Sequence, residues 1–284
     1  MLNMKENLIF LLMNLKRCDL AAQLILSIFP GAGLLDKAFR DNGFIVVSAG
    51  DIVYNIDGDI KNFKGIKNKF DGLIGGPRCQ DFSKANRNKP DLHSSYGFEM
   101  LQEFKRIVLE CDTPWALLEN VSDTPDLFID GYTHQRIDIN QSWYDNVNRL
   151  RHIQFYSKLD NPMYLHFERG VTQHDNKNKC DSAALASDSR PFKELLRLQG
   201  LDENINFPDF TVKGKKKLIG NGVPLSVGNV LAKAVFNVTT PGNKNYCDSA
   251  ALKRCECPCK RIVTHQGRFY DYSCRKRFER IKNK

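Results

Sequence analysis

The sequence predicts an α/β protein built on a Rossmann-like, doubly wound sheet and ending in a basic, cysteine-rich tail. Three observations carry that reading. LILSIF, PGAG, LLDKAF and NGFIVVSAGD succeed one another as apolar run, glycine turn, helical pattern and second apolar run, the order of the nucleotide-binding half of such a sheet. Further apolar runs, FDGLIGG and WALLENV, each end in glycine or polar residues. The 284 residues, 42% hydrophobic and 26% charged, suit one large globular domain with an appendage.

Taken in order, LIFLLM near the N-terminus is too short to span a bilayer. It reads as an amphipathic extension over residues 1–23, neither a signal nor an anchor. Gly31 and Gly33, in the first turn, permit close backbone approach to a ligand or simply a tight strand–helix turn. Asp51 closes the second strand about 20 residues later, where a carboxylate can hold ribose hydroxyls. NIDGDI then brings Asp59 and Ile60, GGPRCQDFS brings Cys79, and WALLENV brings Glu119. Ligands of open α/β sheets collect at the carboxyl ends of strands, so Asp51, Asp59, Cys79 and Glu119 are expected on one edge. A cysteine and an acid facing one pocket suggest covalent chemistry with proton transfer. Taken singly, Cys79 is more often an inert packed thiol and Glu119 a solvated charge. In RLRHIQF, Arg149 and Arg151 fall two apart and share a face on a strand.

There are nine cysteines, an odd count. With no secretory context, that argues for a reducing compartment and a cytoplasmic protein rather than a disulfide framework. Formal charge is +9, and from Lys253 onward eleven Lys and Arg face three acids. Such a tail is a contact for a polyanion such as nucleic acid, or a solvated disordered end. CDSAAL occurs twice, at Cys180 and Cys247; two copies are too few for a repeat architecture.

FPGAG, GGPRCQDFS and ENV, in this order and spacing, resemble the DNA cytosine-5 methyltransferase family. So do HQRIDIN, RLRHIQF, RPFKELLRLQGL and IGNGVPLSVGNVLAKAV, extending the resemblance from about Leu24 to Val235. It implies a catalytic domain over 24–156, a short target-recognition region over 157–189, a return of the catalytic domain over 190–240, and the tail over 247–284. It implies S-adenosylmethionine as methyl donor and double-stranded DNA as partner of a monomer outside any membrane, with a cognate restriction endonuclease as a further partner. Alternatives are an RNA cytosine-5 methyltransferase with the same chemistry, or a catalytically dead DNA-binding relative.

By this resemblance Cys79 is the nucleophile that adds to C6 of cytosine, and Glu119 hydrogen-bonds the N3 edge. Asn120 fixes the turn. Arg149 and Arg151 hold the flipped nucleotide, its phosphate and Glu119. The donor takes Phe29, Gly31, Gly33 and Pro77, with Asp51 on the ribose, Asp59 and Ile60 on the adenine, and Asn221 and Val223 from the last motif. The helix after Gly222 is expected beside the first strand. The target base must leave the duplex to be reached.

The sequence departs from the family pattern in three places. Arg78 stands where a second proline is usual; it assists the thiol by lowering its pKa, touches a phosphate, or marks a decaying enzyme. Val147 stands where the arginine motif usually begins with glutamine. The region 157–189 is short and polar for base reading. In the tail, Cys255, Cys257, Cys259 and Cys274 suit tetrahedral Zn2+, with His265 able to replace one ligand, or remain free thiols. A zinc-binding tail predicts about one zinc per purified chain by elemental analysis, released by a chelator together with the tail's order; zinc in fewer than about one chain in ten before chelation rejects the site.

Overall fold

The computed structural model describes residues 22–50, 58–84, 86–159, 161–166, 180–205, 207–208 and 210–240. The extension to residue 21, Asp51 and the tail residues Cys255, Cys257, Cys259 and Cys274 lie outside them. The chain divides into two units, Met1–Ala234 and Val235–Lys284, and the fold below is that of the first.

The main sheet has six strands in the order β2-β1-β3-β4-β7-β5. β1 (Leu24–Ile28), β2 (Ile45–Ala49), β3 (Gly72–Gly75) and β4 (Trp115–Asn120) run parallel. β5 (Thr133–Asn140) and β7 (Leu150–Ser157) follow, with β7 antiparallel to both its neighbours. α1 (Leu34–Asp41) links β1 to β2, and α2 (Tyr96–Cys111) links β3 to β4. β6 (Val147–Asn148) and β8 (Asp181–Ser182) form a separate parallel pair. α3 (Phe192–Leu198), α4 (Val212–Asn221) and α5 (Leu225–Thr239) complete the described chain.

Both faces of the sheet are covered, which is why β1, β3 and β4 are buried along their whole lengths. On one face Leu24, Leu26, Ile28, Leu73, Ala116 and Leu118 pack against Met100, Leu101, Phe104, Ile107 and Val108 of α2. The alternate residues face the other way. There Trp115 stacks on Phe39 of α1 at 6.4 Å between centroids and lies 6.4 Å from Phe155. The helical spacing of Leu34, Leu35, Ala38 and Phe39 supplies the buried stripe of α1.

The small sheet ties the segment around residue 181 to the strand region before β7. Val147 is 6% exposed and packs with Leu34, Ala184, Leu195 and Ile219; its place in the arginine motif is thus filled by a core contact. α5 packs on α1, the helix that follows β1. A Cβ on Gly228 would come 2.7 Å from the Ala38 Cβ, so two small residues bring the helices close, and Asn42 Nδ2 donates to Asn229 Oδ1 at 2.9 Å. The stretch Val212–Thr239 is apolar and long enough to cross a bilayer by composition. It is interrupted between α4 and α5, and its Leu218, Ile219, Val227 and Leu231 are buried in the protein.

Gly72 marks the tightest point of the packed face. A Cβ there would lie 2.1 Å from the Trp115 ring, and both neighbours are fixed by the sheet. Gly72→Ala is expected to destabilise the fold by about 2 kcal/mol through overpacking, read as a lower urea midpoint at unchanged slope; an unchanged midpoint contradicts this packing.

Candidate active site

The strands β1, β3 and β4 end on one edge, and a cavity of about 410 Å3 opens there, within the size range of small-molecule sites. Phe29, Gly31, Asp59, Ile60, Pro77, Cys79, Glu119, Arg151, Asn221 and Val223 all line it. Residues spread over almost 200 positions of sequence therefore meet, as the strand-end argument predicts. Gly33 and Arg149 do not line it. Gly33 instead starts α1 at φ 69°, a left-handed conformation that favours glycine.

Cys79 sits in the turn that leaves β3. Its carbonyl accepts from the Phe82 and Ser83 amides at 3.1 and 3.0 Å. Asp81 Oδ2 accepts from the Gly97 amide at 2.7 Å, anchoring the loop to the first turn of α2. Asn120 Nδ2 donates to the Pro77 carbonyl at 3.0 Å, and its Oδ1 accepts from the Val121 amide. Asn120 thus fixes the turn around Cys79 from the neighbouring strand. A Cβ on Gly76 would stand 3.3 Å from Glu119 Oε2, so this glycine makes room for the carboxylate.

Glu119 is 7% exposed. It faces Ile153 across the β4–β7 pair, and Arg151, two residues earlier on β7, reaches it diagonally: Nε to Oε1 is 2.9 Å. Burial pushes the Glu119 carboxyl up, against the pull of Arg151 and Arg149. The half-buried Cys79 thiol is also raised, first by burial and next by the negative charge of Glu119, while Arg151, a backbone hydrogen bond and Arg149 pull it down. The charges that pull it down most belong to Arg151 and Arg149. The Arg78 guanidinium lies over the Tyr96 ring, 5.4 Å from the centroid. The principal cations acting on the thiol therefore come from β7 and the residue preceding it, while Arg78, for which assistance to the thiol is one of three readings, rests on Tyr96.

At the other end of the cavity Phe29 has φ 54° and Gly31 φ 54°, a turn that brings backbone to the rim. Ile60 lies on Gly50, where a Cβ would come 2.2 Å from its Cδ1. Arg106 of α2 holds this segment, donating to the carbonyls of Ile60 at 2.9 Å and Phe63 at 3.0 Å while paired to Glu103 and Glu110. Asp36, 2% exposed, accepts from Ser27 and Ser48 hydroxyls at 2.5 Å each and lines the cavity. Neither Arg106 nor Asp36 stands out in the sequence, although an acid inside the apolar stripe of α1 is a signal for the second. The apolar faces of Phe29, Ile60 and Val223 beside the carboxylate of Asp59 and the amide of Asn221 fit an adenosyl group carrying a positive centre. Among the described residues no group of three metal-ligating side chains occurs, and Cys79, Cys111 and Cys180 are free thiols.

Residues 25–126 match the family model for C-5 cytosine-specific DNA methylase. That span holds Cys79 and Glu119. An alignment over 116 positions, covering 34% of this chain, is 31% identical to Type II methyltransferase M.NgoPII of Neisseria gonorrhoeae. The match spans about a third of that relative, 33% of its length. The methyltransferase EhMeth of Entamoeba histolytica superposes with a TM-score of 0.59 at 13% identity, covering 77% of this chain and 99% of that one. The Dnmt2 methyltransferase of S. pombe gives 0.51 at 11%, covering 75% and 98%. These two likenesses show the mixed α/β fold.

The electrostatics predict a coupling. Because the Glu119 charge raises the thiol, Glu119→Gln is expected to lower the Cys79 pKa, shifting the pH profile of iodoacetamide alkylation to lower pH. An unmoved or upward-shifted profile contradicts the arrangement.

Proposed function

We propose that this chain, which carries a C-5 cytosine-specific DNA methylase domain over residues 25–126, transfers a methyl group from S-adenosylmethionine to C5 of a cytosine swung out of duplex DNA. The observation that carries the proposal is that a thiol, a buried carboxylate and an arginine share one cavity with Phe29, Ile60 and Asn221. Nucleophile and donor-binding surface thus face the same space.

In the proposed chemistry the Cys79 thiolate adds to C6 of the base. Glu119, its carboxyl raised by burial, gives a proton to N3 as that bond forms, which places the ring's electron density on C5. S-Adenosylmethionine, when bound, supplies an electrophilic methyl group. C5 takes that methyl group as its bond to the donor sulfur breaks, leaving S-adenosylhomocysteine; the C5 proton then passes to water, the thiolate is eliminated, and N3 returns its proton to Glu119, which restores the aromatic ring. Arg151 keeps Glu119 in position and favours the thiolate. Phe29 and Ile60 offer apolar contacts to the adenine, Asp59 a hydrogen-bond acceptor at its rim, and Asn221, Val223 and Pro77 the remaining walls. Asp51 is proposed for the ribose.

DNA as substrate draws on the matched family model and on the chain's charge of +9. Arg78, exposed at the mouth of the cavity, is placed to meet a phosphate. A role in a restriction–modification pair is inferred from the similarity to M.NgoPII. The tail, with its four cysteines, is proposed as a zinc-held phosphate clamp.

Cys79→Ser is expected to abolish methyl transfer while S-adenosylhomocysteine still binds, since a hydroxyl is far the weaker nucleophile. With S-adenosylmethionine present, duplex DNA carrying 5-fluorocytosine should trap a covalent adduct on the unmodified protein, because fluorine cannot leave as a proton once C5 is methylated. Mass spectrometry of nucleosides after incubation with DNA, and separately with transfer RNA, reads the substrate. Absence of adduct on either nucleic acid rejects the nucleophile, and 5-methylcytosine in RNA alone moves the proposal to an RNA enzyme.

A further inference from the structure

We infer that Arg149 is a positioning residue for the donor end of the cavity and does not contact the target nucleotide. The inference rests on the proposed reading that the wall formed by Asn221 and Val223 takes the donor. Arg149, the residue preceding β7, and Arg151 within it have different partners. Arg151 lines the cavity and bonds Glu119. Arg149 is 4% exposed, and its terminal nitrogens are spent on main-chain carbonyls. Nη1 donates to Ala184, and Nη2 donates to Gly220 at 2.7 Å and Gly222 at 3.0 Å.

Those last two carbonyls bracket Asn221. They belong to the C-terminal turn of α4, where helical carbonyls have no partner of their own. Gln199 grips the same turn from another side: its Nε2 donates to Ile219 at 2.6 Å and Gly222 at 3.1 Å. Carbonyls at three positions of the turn, Ile219, Gly220 and Gly222, are thereby tied to side chains from two other segments, and the direction of the turn fixes where Asn221 and Val223 stand. Arginine suits this place because its planar fork carries donors in two directions at once, whereas lysine offers a single point. The third anchor, Ala184, lies in the first CDSAAL copy. That segment pairs β8 with β6 and passes so near α4 that a Cβ on Gly220 would meet the Leu185 carbonyl carbon at 2.3 Å. The first copy is therefore a strut between the strand before β7 and the donor wall.

Arg149→Met, Arg149→Lys and Gln199→Met test the assignment in the full chain. Calorimetry with S-adenosylhomocysteine is expected to show affinity weakened about tenfold or more in both methionine variants, from loss of charge-assisted or buried hydrogen bonds. Affinity for a mixed-sequence DNA duplex and its salt slope should stay at the unmodified values. In kinetics the donor KM should rise in Gln199→Met while kcat at saturating donor recovers, a split that general destabilisation does not produce. Hydrogen exchange at residues 219–223 should quicken in every variant, with Arg149→Lys intermediate. If Arg149→Met instead loses DNA affinity and about one unit of salt slope, with donor affinity and exchange unchanged, Arg149 is a phosphate contact and the inference is overturned. Should the unmodified chain not bind S-adenosylhomocysteine, the donor reading falls, while exchange at 219–223 still decides whether Arg149 holds the turn.

Discussion

A carboxylate buried at the end of a central strand is the constraint around which this site is arranged. Glu119 cannot stay ionised at 7% exposure without a cation in contact. A parallel neighbour cannot easily provide one here, because β3 is followed by Gly76, whose absence of a side chain makes the space for the carboxylate. The antiparallel partner β7 does provide it. Its register puts Ile153 opposite Glu119 and leaves Arg151 one pleat along, within diagonal reach. Reversal of one strand in an otherwise parallel sheet therefore has a local consequence: the arginine arrives from beyond the strand end, where the cavity is.

The loops around that pair are held by side chains from the framework. The segment after Asn120 is pinned by Arg136, which bonds Asp126 at 2.8 Å and the Ser122 carbonyl at 3.0 Å. Gln154 of β7 adds bonds to the Pro125 carbonyl at 2.8 Å and the Leu127 amide at 2.7 Å. Lys84 and Lys89 of the cysteine loop both pair with Asp123 at 3.4 Å, joining the two loops near the solvent. Surface pairs of this kind contribute little energy each; here they link the two loops to one carboxylate.

The strand ends and the residues they carry were legible in the sequence because period and punctuation mark them. FPGAG, Cys79, Glu119 and the Asp59–Ile60 turn each follow an apolar run, and all open on the cavity. Partners chosen by tertiary direction were not legible. Nothing in RLRHIQF distinguishes an arginine bound to a carboxylate from one bound to carbonyls of α4, since both alternate correctly on the strand. Arg78 beside Cys79 in sequence turns to Tyr96 in space, so adjacency misled where through-space geometry decided. Arg106 was invisible for the same reason: it lies on a helix with ordinary i,i+3 and i,i+4 acids, and its bonds to the Ile60 and Phe63 carbonyls depend on how that helix docks.

The charges of the site also order its proposed steps. Two arginines stand near one carboxylate and one thiol. With Glu119 ionised and Cys79 protonated the group carries one net positive charge; it is neutral only when the thiol ionises. Against this, burial and the Glu119 charge hold the thiol protonated. A base whose N3 edge takes the Glu119 proton's hydrogen bond would keep that carboxyl neutral and remove the repulsion, leaving both arginines to favour the thiolate. On the proposed reading, thiolate formation is then coupled to occupation of the pocket by a base able to accept at N3, so that activation of the thiol would coincide with the presence of the ring it attacks.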